Sequence, residues 1–328
     1  MRMSHPVAIW TLLLCFSAVS CSVRDMAEED RVSVVFKACT PAPFAKSSLA
    51  GHESVVESID LFVFDIQDGN MIARAHGMDD RVSVLLPARQ RLQYAAVLNG
   101  TPQPTFENRE QFLSARADMS AFGISSFLMI AEGESTFEKS SSVSLIARRM
   151  LCKVMVDSVS VAFDEAMDAV LSRAYLINVC GSEPYSMAAS CEGPWFNRMS
   201  LDPSLPAALR SHLLCDSCCM PIGRDPACCD IALYCLPNPL DNDVTSEHET
   251  AWSPRSTRLV LEVMLDGALH YYALTFGGMK SNTCYRIRHL VLTGPGSDDP
   301  DDPHGGRFLK YEVSVDDWVD GREEEIGL

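Results

Sequence analysis

The clearest strand pattern in the sequence is Thr257-Arg-Leu-Val-Leu-Glu-Val-Met-Leu265, followed by Asp266-Gly267 and Leu269-His-Tyr-Tyr-Ala-Leu274. On both sides of the Asp-Gly pair, apolar side chains recur with the two-residue period of a β-strand. Glycine readily takes the positive φ that a tight turn requires, so Asp-Gly between two such runs is typical of a β-hairpin. The stretch therefore predicts two antiparallel strands joined by a short turn.

The same pattern recurs through most of the chain. A second hairpin is predicted where Ile59-Asp-Leu-Phe-Val-Phe-Asp65 passes through Asp68-Gly69 to Met71-Ile-Ala-Arg-Ala75. Further strand patterns occupy 31–37, 81–86, 92–98, 142–149, 152–161, 285–292 and 310–318. Strands at this spacing predict an all-β fold of two antiparallel sandwiches in tandem. We place the N-terminal sandwich at 31–149 and the C-terminal one at 150–328, with a cysteine-rich, loop-rich insertion at about 180–254.

The composition indicates two globular domains. The 328 residues are 47% hydrophobic and 22% charged, and a domain usually takes about 100 to 200 residues. A net charge of −17 without a basic stripe would repel phosphate backbones, so nucleic acid is excluded as a partner. The sequence lacks the Gly-x-Ser-x-Gly, His-Glu-x-x-His and glycine-rich phosphate motifs of common enzymes, so we predict no enzyme activity.

The first twenty residues are typical of an export signal. Arg2 and His5 precede an apolar run from Val7 to Ala18, which is shorter than the roughly 20 residues that span a bilayer. Small residues then lead to Cys21 in a sequence that resembles the lipobox of bacterial lipoproteins. We therefore predict a signal peptide at 1–20, lipid attachment at Cys21, an acidic tether at 21–30 and anchoring in the outer membrane. The covalent lipid is the only cofactor predicted.

Six cysteines of the insertion form the densest group of reactive side chains. They are Cys215, Cys218, Cys219, Cys228, Cys229 and Cys235. Four thiolates in two pairs could bind zinc, although the frame differs from that of the usual zinc knuckle. In an exported chain such cysteines more often form disulfides, and adjacent cysteines rarely bond to each other. We expect disulfides between the two vicinal pairs, with free thiols or a metal as the alternatives.

Two other groups of side chains, one acidic and one aromatic, are expected to have a structural role rather than to bind a ligand. The acidic segment with aspartates 298, 299, 301 and 302 could offer calcium four carboxylates. It lacks the EF-hand order, and its prolines favour a solvated loop. The rings of Tyr271, Tyr272 and Tyr285 occupy strand positions, where we expect core packing rather than stacking on a sugar.

Several segments together resemble the fimbrillin family of Bacteroidales, which includes shaft, tip and anchor subunits of fimbriae. In the C-terminal third these are 234–238, 257–262, 266–267, 271–272, 282–285, 292–300 and Trp318, and in the first domain they are 59–65, 68–69 and 94–99. Their order along the chain carries the resemblance. It implies two transthyretin-like β-sandwiches, export as a lipoprotein to the cell surface, and assembly with other fimbrial subunits by strand addition. In that assembly a protease removes the first strand, and a strand of a neighbouring subunit replaces it.

The basic residues after the first strand depart from the pattern of a shaft subunit. Shaft subunits are cut after an arginine behind that strand, yet no arginine lies between Arg31 and Arg74, where Lys37 and Lys46 are the basic residues. We therefore expect an uncut, lipid-retained anchor or minor subunit, with Lys46 as the alternative processing site. The competing hypothesis is a surface lipoprotein that binds a glycan or a host or bacterial ligand without polymerising.

Overall fold

The structure is a computed structural model that describes residues 31–40, 52–101, 103–122, 125–163, 168–210, 213–244 and 252–318. The first part of the chain forms β1 (Arg31–Cys39), β2 (Ile59–Asp65), β3 (Met71–Gly77), β4 (Arg81–Pro87), β5 (Arg91–Leu98), β6 (Arg116–Asp118), β7 (Met129–Thr136), β8 (Ser141–Ile146) and β9 (Arg148–Arg149). Helix α1 (Arg109–Ser114) and a 3₁₀ turn (Met119–Ala121) lie between β5 and β7.

The first sandwich packs a three-stranded sheet, ordered β4-β1-β8, on a five-stranded sheet, ordered β3-β2-β5-β7-β9. Its core is a separate apolar cluster that takes residues from both sheets, among them Phe36, Leu61 and Leu92. Both predicted Asp-Gly turns place glycine at positive φ, +72° at Gly69 and +82° at Gly267. The predicted all-β class is confirmed.

The side chains of β2 are buried on both faces of its sheet, which agrees with the weak alternation of apolar and polar residues in its sequence. One face lies in the first core, while Phe62 and Phe64 on the other face join a second apolar cluster that runs into the C-terminal sandwich. Phe112 of α1 covers that outer face and contacts the rings of Phe62 and Phe64. Helix α1 therefore closes the outside of this sheet.

The second part of the chain contains the remaining strands. They are β10 (Cys152–Val161), β11 (Ala169–Ile177), β12 (Val179–Cys180), β13 (Ser182–Pro184), β14 (Trp195–Phe196), β15 (Cys215–Ile222), β16 (Ala227–Cys235), β17 (Arg258–Leu265), β18 (Ala268–Thr275), β19 (Thr283–Leu292) and β20 (Leu309–Asp317). A short helix α2 (Ala207–Arg210) precedes β15, and a 3₁₀ turn (Gly305–Phe308) precedes β20. Two four-stranded sheets, β16-β10-β19-β20 and β15-β11-β17-β18, form the second sandwich.

Most strand pairs are antiparallel, as predicted, but two are parallel. Strand β1 runs parallel to β8, and β10 runs parallel to β19. Side-chain alternation shows which face of a strand is buried but not the direction of its neighbour, so the sequence could not predict these two pairings.

The predicted insertion at 180–254 is in part a component of the sandwich. Strands β15 and β16 are edge strands of the two sheets, paired with β11 and β10. The cysteine and proline content suggested loops, yet Pro221 lies in β15, where an edge strand tolerates a residue without a backbone N–H. The remainder of the segment includes two short strand pairs, β12 with β14 and β13 with β6.

The two sandwiches are joined by buried structure. Met150 and Leu151 connect β9 to β10 and are completely buried. The β6–β13 pair links the two parts of the chain, and Arg116 of β6 donates hydrogen bonds to Ser182 and to the carbonyl of Ser190.

Helices play little part in the architecture. The longest helix in the described ranges has six residues, so none there could cross a bilayer.

Candidate functional site

Strand β1 is held on both of its edges. It pairs antiparallel with β4 from Arg31 to Lys37 and parallel with β8 from Val34 to Cys39. In this three-stranded sheet β1 is the central strand. Its removal would leave unpaired N–H and C=O groups along two facing strands, a geometry that accepts another extended segment.

The inward face of β1 supplies part of the first core. Val34 and Phe36 are completely buried and Ala38 is 8% exposed. The Phe36 ring packs edge-on against Tyr94 and Phe137, with centroid distances of 5.0 and 6.2 Å. Burial of a Val or Phe side chain contributes about 1.5–3 kcal/mol, so an empty groove at this place would be strongly unfavourable.

A network centred on Glu53 lies shortly after β1 in sequence and between the two sandwiches in space. The completely buried Glu53 carboxylate accepts hydrogen bonds from Lys153 Nζ at 2.6 Å, Tyr234 Oη at 2.7 Å and Trp318 Nε1 at 3.0 Å. The Glu53 carbonyl accepts a hydrogen bond from Arg149 Nε at 2.8 Å. Glu53 belongs to the N-terminal part of the chain, whereas Lys153, Tyr234 and Trp318 belong to the second sandwich.

Aromatic rings enclose the charges of this network. Trp318 stacks on Tyr234 at 5.6 Å, and the Arg149 guanidinium lies 4.7 Å from the Trp318 ring centre. Burial lowers the pKa of Lys153, and the adjacent Glu53 carboxylate opposes that shift. A buried carboxylate with this many donors holds both sandwiches in one arrangement.

Strand β20 differs from the other long strands of the second sandwich in how little of it is covered. It is an edge strand of nine residues that pairs with β19. Leu309 and Val313 pack on the core, whereas Tyr311 and Val315 on the same alternation are 43% and 59% exposed. An edge strand with exposed apolar side chains is able to pair with a further sheet.

No family model and no curated protein sequence matches this chain. A candidate cell adhesion protein from Bacteroides eggerthii superposes with a TM-score of 0.63 at 14% identity, covering 89% of this chain and 98% of its own. A candidate cell adhesion protein from Parabacteroides distasonis gives 0.59 at 15%, covering 88% and 99%. A fimbrilin from Porphyromonas gingivalis gives 0.56 at 14%, covering 88% and 98%.

These matches extend over both sandwiches. The chain has the fimbrillin fold. The three structures are described as adhesion or fimbrial proteins. The sequence resemblance found from the order of the strand motifs is thus matched in three dimensions at identities too low to show more than the fold.

Two predicted sites of this fimbrillin-fold chain lie outside the described residues. These are the lipid-attachment residue Cys21, with the signal peptide and acidic tether around it, and the processing site Lys46. In sequence Lys46 lies between β1 and Glu53. A cut at Lys46 would therefore separate β1 from the chain while leaving Glu53 on the remaining part.

The six grouped cysteines are thiols in the structure, and none of the bridges expected among them is present. Cys218 and Cys219 are neighbours on β15, and Cys228 and Cys229 are neighbours on β16. In each pair one side chain is exposed and the other partly buried, because successive strand residues point to opposite faces. Burial raises the pKa of Cys218 and of Cys229 to about 12, so these thiols are neutral near pH 7.

The disulfide in the structure joins Cys180 and Cys191 instead. It fastens the end of β12 to the segment before β14, and Cys180 is the register partner of Trp195. The described residues contain no group of three or more His, Cys, Asp or Glu side chains that could hold a metal ion.

The acidic segment contributes one inward carboxylate, which corrects the prediction of a wholly solvated loop. Asp301 is 3% exposed and forms ion pairs with Arg258 and, at 3.4 Å, with Arg255. Asn178 also donates a hydrogen bond to Asp301 at 2.8 Å. The guanidinium groups of Arg258 and Arg255 thus balance the charge of this carboxylate. Sequence reasoning missed this role because Arg258 appears only as the first residue of a strand.

The three strand tyrosines fit the expectation of core packing in two cases. Tyr272 and Tyr285 are buried, and Tyr271 is partly buried. The sequence does not single out a further aromatic group, which is a pair of partly buried tryptophans. Trp195 and Trp252 lie 5.3 Å apart, and the Arg198 guanidinium lies 4.6 Å from the Trp252 ring centre.

Proposed function

We propose that this chain is a lipid-retained fimbrial subunit of a bacterial cell surface. In this proposal the acylated Cys21 holds the chain in the outer membrane, β1 stays in place, and the edge strand β20 leaves β19 to fill the groove of a neighbouring subunit whose own first strand has been removed. The observation that carries the proposal is that one fold contains two complementary strands. A central, replaceable strand β1 occurs together with an edge strand β20 whose apolar side chains are exposed.

The alternation of β20 suits such a role. Its odd-numbered residues from Leu309 to Val315 are all apolar, as are the even-numbered residues of β1 from Val32 to Ala38. Two strands with the same two-residue period can fill the same kind of groove, because backbone hydrogen bonds supply affinity and the apolar side chains fill pockets. The exchange requires neither a nucleotide nor a metal, since burial of the open groove is itself favourable.

The test separates an acceptor from a donor. In the acceptor, a recognition sequence for a site-specific protease is inserted at Lys46, and cleavage frees β1. Uncut chain is then added as the donor, and complexes that survive in detergent without heating are detected by electrophoresis. We expect complexes with the unaltered donor and at least a tenfold loss with the donor variant Tyr311→Asp/Val315→Asp. The control donor is Lys310→Asp, whose exposed side chain lies on the opposite face.

The outcome is decisive only for folded variants, so all donors are compared by circular dichroism and thermal unfolding. Equal complex formation by all three donors would rule out β20 as the donating strand. Retention is tested separately by the mass and N-terminus of the chain from membranes of its host. A lipid-carrying Cys21 followed by β1 supports the proposal, whereas a lipid-free chain that starts after Lys46 means that the subunit is an acceptor.

A second candidate function, glycan binding, is favoured by the surface beside Trp195. A cavity of about 430 Å³ is lined there by Trp195, Arg198, Leu201, Asp202 and Pro203 together with Asn197 and Ser200. The strand pair and the Cys180–Cys191 disulfide fix the ring that forms one wall. An aromatic face beside a carboxylate and a guanidinium can stack on a pyranose and hydrogen-bond to its hydroxyls.

A glycan array with the purified chain tests this candidate. We expect binding that Trp195→Ala abolishes and that Tyr311→Ala, which removes an exposed ring on β20, leaves unchanged. An array without a binding glycan would remove this second candidate while leaving the fimbrial proposal untouched.

A further inference from the structure

Two buried thiols lie side by side on neighbouring strands of one sheet in the second sandwich. Cys152 of β10 and Cys235 of β16 are direct register partners in an antiparallel pair. Their Sγ atoms lie 3.3 Å apart, and both side chains are completely buried. The Cα atoms of directly paired antiparallel residues lie about 4.5 or 5.5 Å apart, and both values fall within the range that a disulfide spans.

We propose that Cys152 and Cys235 form a second disulfide, made while β16 pairs with β10 during folding. Only a short movement of the two sulfur atoms is needed, because the backbone already places them opposite each other. Cys235 belongs to the cysteine-rich group, whereas its partner Cys152 lies outside that group. The vicinal pairs of the group divide their side chains between opposite faces and lack this arrangement.

The surroundings indicate when the bond forms. Burial raises the pKa of Cys152 well above its usual range, so the folded thiol resists ionisation, and the thiolate is the species that attacks a disulfide. The two cysteines are therefore oxidised during folding, when β16 pairs with β10 and solvent still reaches the sulfur atoms. Once closed, the bond lies beneath the sheet and is shielded from reductants.

The reaction is a thiol–disulfide exchange with a small-molecule disulfide as the oxidant. The thiolate of one cysteine attacks the small disulfide, whose S–S bond breaks, and one small thiol leaves. The second cysteine thiolate then attacks the mixed disulfide and releases the other small thiol. The protein sulfur atoms lose two electrons and two protons, which the oxidant gains as it becomes two thiols.

The bond would stabilise a specific part of the fold. It closes a sequence separation of 83 residues and fastens the edge strand β16 to its neighbour. Tyr234 and Lys153, which are next to the two cysteines in sequence, both contact Glu53. The disulfide would thus hold β16 in place where it supports the contact between the two sandwiches.

The experiment uses the purified chain, unfolded and reduced, then refolded in a glutathione redox buffer. Remaining thiols are alkylated under denaturing, non-reducing conditions, and the chain is digested with trypsin. Cleavage isolates Cys152 in the peptide 150–153 and Cys235 in the peptide 225–255. We expect these two peptides to be linked, and the link to disappear on reduction. The Cys180–Cys191 bond, which lies within the single peptide 174–198, reports that the buffer was oxidising.

Cysteine variants identify which sulfur atoms form the link. The peptide 225–255 also contains Cys228 and Cys229, so the exposed Cys228→Ala serves as the matched control that keeps the link, whereas Cys235→Ala loses it. Reduction should lower the Tm of the unaltered chain and of Cys228→Ala by roughly 5 °C more than that of Cys235→Ala. Full alkylation of both Cys152 and Cys235 in chain that has formed the Cys180–Cys191 bond would overturn the proposal.

Discussion

The Glu53 carboxylate and the Lys153 ammonium are joined by a 2.6 Å hydrogen bond between the two sandwiches, and neither side chain is exposed to solvent. Their partners lie far apart in sequence, since Tyr234 and Trp318 are separated from Glu53 by 181 and 265 residues. The contact therefore depends on the complete fold. Glu53 also follows the predicted processing site Lys46, so a cut subunit would retain this connection.

Loss of either charge alone is predicted to destabilise the chain strongly. Glu53→Gln removes the carboxylate that faces the buried Lys153 ammonium, and Lys153→Met removes the ammonium that faces the Glu53 carboxylate. Breaking a buried ion pair in this way costs about 3–5 kcal/mol. Urea unfolding followed by tryptophan fluorescence measures the loss, and Trp318 reports directly on this region.

An exposed ion pair provides the control for that experiment. Lys37 and Asp80 lie 3.9 Å apart with side chains 52% and 42% exposed, and Asp80→Asn should change stability by less than about 1 kcal/mol. The double variant Glu53→Leu/Lys153→Met should lose less stability than the two single variants together, because neither member of this ion pair is left facing an uncharged side chain. A double variant as unstable as the sum of the two would show that the charges act independently.

The Glu53 network marks the limit of what the sequence predicts. Local signals were sufficient for the hairpins, because Asp-Gly at 266–267 imposes its turn whatever surrounds it. Glu53 stands in the polar sequence Gly51-His-Glu-Ser54, where glutamate is usually exposed. Nothing within its own segment indicates that a lysine 100 residues away and an indole near the end of the described chain bind it.

The cysteine-rich segment shows a second limit. Its composition indicated a stapled loop, whereas the structure contains two edge strands with thiols divided between their faces. A sequence window identifies how many cysteines are close in the chain, but strand pairing decides which of them meet in space. Cys152 and Cys235 illustrate this, because they face each other across a pairing that no local pattern reveals.

Glu183 is predicted to make the stability of the chain depend on pH near neutrality. It is completely buried on β13, accepts a hydrogen bond from the backbone N–H of Ala189, and has no hydrogen-bond partner among the described residues for its second carboxylate oxygen. Burial raises the pKa of Glu183 from 4.5 to about 7. Since the folded state holds the proton more tightly, the resulting stability is fully present below pH 4.5 and is lost as the pH rises through 7.

Glu183→Gln removes this titration. The variant should match the unaltered chain at pH 4.5 and exceed its stability at pH 8 by on the order of 1–2 kcal/mol. Thermal unfolding measured across this pH range tests the prediction. The control is Glu192→Gln, whose side chain is 73% exposed and which should reproduce the unaltered profile. Parallel pH profiles for Glu183→Gln and the unaltered chain would contradict the assignment.

Calcium is predicted to leave the acidic segment unaffected. The Asp301 carboxylate is already bound by Arg258, Arg255 and Asn178, and a calcium site needs six to eight oxygen ligands. Millimolar calcium and excess chelator should therefore give the same Tm. Asp301→Asn should instead lower stability by a few kcal/mol, because it leaves buried Arg258 with one counter-ion fewer. A calcium-dependent rise in Tm that Asp301→Asn abolishes would reverse this interpretation.

The fit of β1 in its groove predicts which of its side chains matter. Phe36 is completely buried against Tyr94 and Phe137, so Phe36→Ala should destabilise the first sandwich by about 3–5 kcal/mol. Lys37→Ala on the outward face should have an effect below about 0.5 kcal/mol. Because the second sandwich keeps its own core and the Glu53 contacts, hydrogen exchange of Phe36→Ala should increase in β1, β4 and β8 before it increases in β17 or β18. Uniformly faster exchange in both sandwiches would mean that the two unfold as one unit, and that removal of β1 could not open a groove without unfolding the rest of the chain.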